Sequence, residues 1–374
     1  MNIEQVIELF YEDYYLNDQS RSELNVFKKI RFDKLGFYIF SNINKVNEFT
    51  NLNEFIQYYS AKYFEKTFSL NSLSKIDYLE VEKKIGNISY PFYVNIDRLK
   101  ILEKSISENI AITIFGISIC DIYNITGLII LRILLYNDYI LHQKTMTYER
   151  LKFFGKTEVD CFFTAQELQK LNSDITINKI RMYLDVFSIE LDKISKVEDT
   201  KRIINMKGKY VVMYMKEFCT FVFNYCENCI IDYLRKIDKK LLQDYYDKRG
   251  SVFEKYVKNV VGIIYPNVLS KVKYVDNKSR KMEIDNLIIE DDICLNFECK
   301  SSGFNIYELS SSDDTLKKLR NAFGRGYFSI DTFHKTIENE GGIIELEIDN
   351  KKKIYNLKDK KIVSFNVTMY PIDF

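Results

Sequence analysis

The stretch KMEIDNLIIEDDICLNFECKSS, residues 281–302, decides the fold of the C-terminal third of this chain. Two apolar, β-branched runs flank an acidic pair at 291–292, which is typical of a β-hairpin with a two-residue turn. Because side chains alternate along a strand, Glu298 and Lys300 are predicted to share one face. The short turn places Asp285 directly across from Glu298. The hairpin is therefore predicted to bring two carboxylates and an ammonium group together.

Such a group suits the hydrolysis of a phosphodiester. Mg²⁺ held by two carboxylates neutralises phosphate charge and lowers the pKa of its bound water. A lysine beside them can orient the attacking water and stabilise charge in the transition state. Oxygen ligands favour Mg²⁺ or Mn²⁺ over zinc, and neither of the two histidines of the chain lies in this stretch.

The pattern around the hairpin predicts a mixed α/β core. An amphipathic helix is predicted before it and a longer helix after it, with further strands on both sides. The predicted helices are 251–265, ending before Pro266, and 313–340, and the predicted strands are 268–276, 281–290, 293–301, 341–349 and 360–370.

This arrangement resembles the PD-(D/E)XK nuclease superfamily, the fold of many restriction endonucleases and repair nucleases. Asp285 matches the first acid, Glu298 the second, and Lys300 the lysine of the motif. Glu254, in the preceding helix, matches a further glutamate that the family often carries. The proline named in the motif is Ile284 here, a substitution that the superfamily commonly tolerates.

The resemblance covers roughly 130 residues and implies a restriction-endonuclease-like mixed sheet flanked by helices. It implies metal ligation by Asp285, Glu298 and the main-chain carbonyl of Cys299, with Mg²⁺ or Mn²⁺ as the cofactor. Glu254 would orient a metal-bound water or help to bind a second ion.

The helix after the motif carries a row of cations, Lys317, Lys318, Arg320 and Arg325. In the family this helix can approach the nucleic acid backbone, where these side chains would contact phosphates. An ordinary solvated helix face is an equally good interpretation. The glycines on either side of Arg325 either allow a close backbone approach or interrupt the helix.

The first part of the chain is predicted to be mainly helical, so that the whole chain is α/β, and α+β overall. A helix start is predicted at Thr164, with Glu167 three residues later as its capping partner. The predicted helical stretches are 3–78, 110–141, 164–191 and 217–246, with strands at 88–96 and 207–215. The expected domains are residues 1–244 and 245–374.

Charge and cysteine content limit the setting of the protein. Lys and Arg number 54 against 53 Asp and Glu, so any surface for nucleic acid must be a local patch. The seven cysteines are odd in number and irregularly spaced, and no signal peptide is visible, which predicts a cytoplasmic protein. Charged residues interrupt the apolar stretch 110–141, which predicts a buried helix and no membrane.

The expected function is metal-dependent endonuclease activity on nucleic acid, with DNA as the first choice. The architecture is analogous to bacterial restriction or anti-phage defence proteins. Residues 1–244 would supply target recognition, a protein partner, homo-oligomer contacts or regulation. Two alternatives stay open: a nuclease-like module that binds without cutting unless a partner joins it, and an RNA-cleaving toxin.

Overall fold

The chain has an α/β fold, as predicted, and divides into two compact units. The first unit comprises Met1–Glu103 and Ser107–Tyr233, and the second comprises Lys104–Ile106 and Leu234–Phe374. The computed structural model describes residues 4, 42–48, 54, 58, 62, 92–141, 160–194, 202–213, 215–301 and 324–369. Most of the predicted helical stretch 3–78 lies outside these residues.

The described part of the chain before residue 238 is mainly helical. Its helices are α1 Phe92–Ser105, α2 Glu108–Phe115, α3 Ile119–Leu141, α4 Ala165–Leu171, α5 Ile177–Phe187 and α6 Met215–Ile237. A small mixed sheet accompanies them, with β1 Ser188–Glu190, β2 Ile203–Met206 and β3 Lys209–Val211. Strand β2 lies between the other two, parallel to β1 and antiparallel to β3.

The sequence prediction of a strand over residues 88–96 is wrong from Phe92 onward, where α1 begins. Asn95, Leu99 and Leu102 are each fully buried, and their spacing of three and four is that of one helix face. The predicted helix start at Thr164 is confirmed: its side chain accepts from the amide of Glu167, whose carboxylate accepts from the amide of Thr164.

Helix α3 contains Ile119–Tyr136, which is long and apolar enough to cross a membrane by length and composition, although half of it is buried within the protein. Arg132, in that stretch, is 2% exposed. Its guanidinium donates to the main-chain oxygens of Asp160, at 2.8 Å, and Phe162, at 2.9 Å. The helix therefore carries a charged side chain whose hydrogen bonds are made inside the protein.

The continuous helix predicted over residues 217–246 is divided between two helices in the structure. The break comes at Asp238, whose carboxylate caps α7, Lys239–Val261, by accepting from the amide of Lys240. Helix α7 then runs through residues 247–250, which the sequence analysis left between two predicted helices. The capping strength of Asp238 decides the break, because an aspartate before a helix satisfies amides that the first turn leaves free.

The large sheet follows α7 and has the strand order β8-β7-β4-β5-β6-β9. Neighbouring strands are antiparallel except β6 and β9, which run parallel. The bounds are β4 Leu269–Val275, β5 Lys281–Ile289, β6 Ile293–Lys300, β7 Ile343–Ile348, β8 Lys351–Asn356 and β9 Lys361–Thr368. One further helix, α8 Arg325–Asn339, lies between β6 and β7 in the chain.

Apolar side chains cover both faces of this sheet. On one face, Phe333 and Ile337 of α8 pack with Val272, Ile284 and Leu346. The opposite face has a separate core, formed by Val268, Ile288, Leu295 and Phe297, against which Val261 of α7 packs. Because both faces are covered, β6 is buried along most of its length, as expected for a central strand.

The sequence prediction missed strand β8. Its pairing with β7 begins at Ile348 and Lys351, and the two turn residues, Asp349 and Asn350, have φ of 49° and 61°. Asp and Asn tolerate this left-handed conformation, which a two-residue hairpin turn requires. Residues 351–353 are all lysine, so the strand shows no alternation of apolar and polar residues. An exposed edge strand does not need such alternation.

Candidate functional site

The hairpin of β5 and β6 has the predicted two-residue turn. The amide of Glu290 donates to the oxygen of Ile293 at 2.9 Å, and the pairing continues to Asn286 and Phe297. The same register brings Asp285 opposite Glu298. Regular pairing between the two strands gives way there to a side-chain contact.

Asp285 is fixed by a hydrogen bond to the neighbouring strand. Its Oδ2 accepts from the amide of Cys299 at 2.6 Å, so the carboxylate takes a position beside the main chain of β6. The alternation of side chains in β5 is irregular around Asp285. Ile284 and Leu287, on either side of it, pack into the same core although they are three residues apart. A regular strand would place them on opposite faces. Asp285 thus lies where the alternation of β5 is interrupted.

Glu298 and Lys300 form an ion pair at 2.5 Å between Oε1 and Nζ. The side chain of Glu298 is 9% exposed and that of Lys300 is 22% exposed. The lysine of the motif therefore contacts the second acid in this structure. Since a buried carboxylate is costly to keep ionised without a partner, Lys300 supplies the charge that Glu298 needs.

Glu254 comes to the site from α7. The side chain of Asn286 joins the two elements, since its Nδ2 donates to the main-chain oxygen of Glu254 at 3.1 Å and contacts Sγ of Cys299 at 3.8 Å. Burial raises the pKa of the Glu254 carboxyl, and the charge of Lys271 opposes that rise. Four of the predicted site residues, Glu254, Asp285, Glu298 and Lys300, are thus brought close enough to affect one another's charge.

Asp285 is the group whose charge the site disfavours most. Burial, followed by the negative charge of Glu298, raises its pKa to about 7, while the amide of Cys299 works in the opposite direction. Two carboxylates therefore compete for charge in a poorly solvated place. A bound cation would relieve this repulsion.

The donor set fits Mg²⁺ better than it fits zinc. No group of three or more His, Cys, Asp or Glu side chains arranged to hold a metal occurs among the residues that the structure describes. Mg²⁺ keeps several of its waters and commonly uses only one or two carboxylates together with substrate phosphates. Asp285, Glu298 and the main-chain carbonyl of Cys299 could supply oxygen ligands of this kind.

The predicted cationic row is described only at its end. Arg325 is exposed at the start of α8, whereas Lys317, Lys318 and Arg320 lie outside the described residues. The neighbouring glycine has a packing role: a Cβ on Gly326 would lie 2.8 Å from the side-chain amide of Asn366. Asn366 pairs with Glu298 across β6 and β9, so the start of α8 packs beside the second acid.

Sequence reasoning missed one cation of the site, Lys271 in β4. It lies opposite Asp285 in the β4–β5 register, between the pairs Ser270–Asn286 and Val272–Ile284. Lysines are common on exposed strands, so no sequence signal distinguishes this one. The structure does, because its φ is +52°.

Comparison of the sequence with protein-family models gives no match, and comparisons with curated proteins and with solved structures give none either.

Proposed function

We propose that this protein is a metal-dependent nuclease that hydrolyses phosphodiester bonds, with DNA as its first candidate substrate. The observation that carries the proposal is the β5–β6 register, which sets Asp285 opposite Glu298 with Lys300 bonded to the second acid. This grouping is the one that phosphodiester hydrolysis with Mg²⁺ needs.

In the proposed mechanism, Asp285, Glu298 and the carbonyl of Cys299 would hold Mg²⁺ or Mn²⁺, which would supply a water of lowered pKa and neutralise phosphate charge. The amide of Cys299 holds the Asp285 carboxylate in place beside β6. A preset ligand loses little freedom when the ion and substrate arrive, and this preorganisation lowers the barrier to reaction.

Lys300 and Glu254 have supporting chemical tasks in this proposal. Lys300, held now by Glu298, would move toward the scissile phosphate once a cation shares the charge of that carboxylate. Its ammonium would then stabilise the extra negative charge of the transition state. Glu254, whose pKa is raised by burial, would hold a water proton beside the metal or help to bind a second ion.

The mixed sheet with helices on its two faces and the Asp285, Glu298 and Lys300 arrangement together support membership of the PD-(D/E)XK superfamily. Cytoplasmic action in bacterial restriction or anti-phage defence rests on analogy of architecture. In this proposal the unit that precedes the nuclease domain supplies target recognition, a protein partner, homo-oligomer contacts or regulation.

One observation favours a second candidate, a nuclease-like module that binds nucleic acid but cuts only when a partner joins it. Lys300 already neutralises Glu298 within the protein, so the site is partly self-compensated before any metal arrives. In that case a partner would be needed to separate the pair. The RNA-cleaving toxin differs from the favoured proposal in its substrate alone.

The test is incubation of the purified full chain with plasmid, linear duplex and single-stranded DNA, and with RNA, in Mg²⁺, Mn²⁺ or EDTA. Lys300→Ala should lower cleavage by at least about 10²-fold, because it removes a charge that stabilises the transition state. Lys281→Ala, at the exposed start of β5, is the matched control and should cut normally.

A second measurement, the midpoint of thermal unfolding with and without Mg²⁺, keeps binding of the ion separate from cleavage. Mg²⁺ should raise the midpoint of the wild type, since an ion that binds only the folded state stabilises it. Undiminished cutting by Lys300→Ala would sink the assigned mechanism. If the protein cuts RNA but none of the DNA substrates in a metal-dependent way, the RNA-cleaving toxin replaces the favoured proposal.

A further inference from the structure

Lys271 has a backbone conformation that lysine rarely adopts. Its φ of +52° lies in the left-handed region, within the bounds of a β-strand. Glycine enters this region freely, and Asn and Asp are enriched there, whereas a lysine has no local hydrogen bond to offset the clash of its Cβ. Its conformation must therefore be imposed by the surrounding sheet.

The left-handed residue changes the face to which β4 presents its side chains. Leu269 and Val272 both pack against the core under α8 although they are three residues apart. The strand thus resets its alternation at Lys271, as β5 does at Asp285 directly opposite. The two interruptions lie opposite each other in the sheet. Lys271 and Asp285 are therefore both outside the regular pairing of β4 with β5.

The Lys271 side chain is exposed, and it forms no ion pair with any residue in the described part of the chain. Its charge nevertheless acts more strongly on the Glu254 carboxyl than that of Lys300 does. Lys300 is held by Glu298. Lys271 is thus the lysine of this site that is open to a ligand from solution.

A nucleic acid must bring its phosphates close to three carboxylates, those of Glu254, Asp285 and Glu298, which repel them. Cations at the edge of the site are needed to offset that repulsion, because phosphate contacts provide most of the affinity for nucleic acid. We propose that Lys271 binds a phosphate of the substrate strand beside the one that is cut, an inference that rests on the proposed nuclease function. Its place opposite Asp285 in the β4–β5 register puts this exposed lysine at the edge of the site.

The test separates the ammonium group from the backbone conformation. Lys271→Gly removes the charge and suits a positive φ, so the variant should unfold at a higher temperature than the wild type. Its binding should weaken most at low salt concentration and less as the salt concentration rises. The slope of log Kobs against log salt should become shallower by roughly 0.7 to 0.9, the value of one phosphate contact. Lys271→Arg should keep the wild-type slope.

The matched control is Lys273→Gly, two residues along the same strand, where the side chain is also exposed and its Nζ lies 3.9 Å from Glu347 Oε1. Glycine there should lower the unfolding temperature, because a regular strand position gains nothing from it, and should leave the salt slope unchanged. Binding is followed by the anisotropy of fluorescein-labelled duplex DNA, single-stranded DNA and RNA in Ca²⁺, with cleavage assayed separately in Mg²⁺.

Each outcome decides a different point. A shallower slope for Lys271→Gly but not for Lys273→Gly supports the phosphate contact of Lys271; if the wild type also cuts nothing, the contact stands and the nuclease proposal with its cut phosphate fails. An unchanged slope beside wild-type cutting overturns the inference and leaves the nuclease standing. A wild type that binds none of the three probes overturns both.

Discussion

Two aspartates of the same sheet, Asp276 and Asp285, differ in the hydrogen-bond partners that the fold gives them. Asp276, 6% exposed at the β4–β5 turn, accepts from the guanidinium of Arg280 at 2.6 Å and from the amides of Lys278 and Arg280 at 2.9 and 2.7 Å. Asp285 accepts one amide, that of Cys299. One carboxylate is surrounded by donors, and the other faces further carboxylates.

The difference appears in their protonation. Desolvation disfavours the charge of Asp276, but the hydrogen bonds from Arg280 and Lys278 outweigh it and hold its pKa below the usual value. Burial and the charge of Glu298 raise the pKa of Asp285 to about 7. A carboxylate that completes a turn is given its partners by the fold. A carboxylate left short of partners is typical of a site that receives them from solution.

The strongest difference between the two aspartates is expected in cleavage. Asp285→Asn should lower kcat/KM by at least about 10²- to 10³-fold, because it removes a carboxylate that the proposed mechanism assigns to the metal ion. Asp276→Asn, the same change nine residues earlier, should cut near the wild-type rate while unfolding at a lower temperature. Cleavage kinetics beside thermal unfolding measure both. Equal losses of cleavage in the two variants would erase the distinction.

The next effect is on the pH dependence of stability in EDTA. Because the pKa of Asp285 is raised in the folded state, the wild type should lose stability as pH rises from about 4 to 7, at up to about 1.4 kcal/mol per pH unit. Asp285→Asn should lack that loss and be the more stable protein at pH 7. Denaturant unfolding between pH 3 and 8 measures it.

In the same experiment, Asp276 should change the stability with pH in the opposite direction. Its pKa is lowered in the folded state, so its stabilising contribution is present above the unfolded pKa and disappears as pH falls through the folded one. Asp276→Asn should therefore be less stable than the wild type at pH 7, and the difference should shrink as pH falls below the ordinary pKa of an aspartate. A stability gain for Asp285→Asn that persists undiminished at pH 4 would contradict the assignment of its raised pKa.

The smallest effect concerns the partner of Asp276. Arg280→Lys keeps the positive charge but loses the two-pronged guanidinium contact through Nε and Nη2. Since the Arg280 side chain is 45% exposed, the loss should stay below about 1 kcal/mol, and cleavage should be unchanged. Chemical denaturation of the variant and the wild type measures it. A loss of several kcal/mol would show that solvent screens this pair less than its exposure suggests.

The sequence allowed the hairpin to be predicted because each of its signals is local. Alternation over 293–300 and an acidic pair at 291–292 are enough to set the register, and the register alone brings Asp285 to Glu298. The capping box at Thr164 is local in the same sense. Such features follow from residues two to four positions apart.

What could not be predicted depends on contacts between distant parts of the chain. Lys271 is left-handed because of the strands beside it, and nothing in its own neighbourhood of sequence indicates that. Residues 92–96 contain aromatic and β-branched side chains that favour a strand, yet burial of Asn95 and Leu99 on one face makes them helical. Residues 247–250 were predicted to separate two helices, but α7 continues through Gly250, because a helix interior tolerates one glycine at a modest cost.

The parallel pairing of β6 with β9 has a consequence for the order of assembly. Ile293 pairs with Lys361 and Glu298 with Asn366, so the strand that carries the second acid acquires one neighbour only after a long further stretch of chain has been made. Such distant pairings are slow to form. On the ribosome, a nascent chain would carry the acids well before their sheet is complete. The two acids would therefore reach their final surroundings only after synthesis has passed β9.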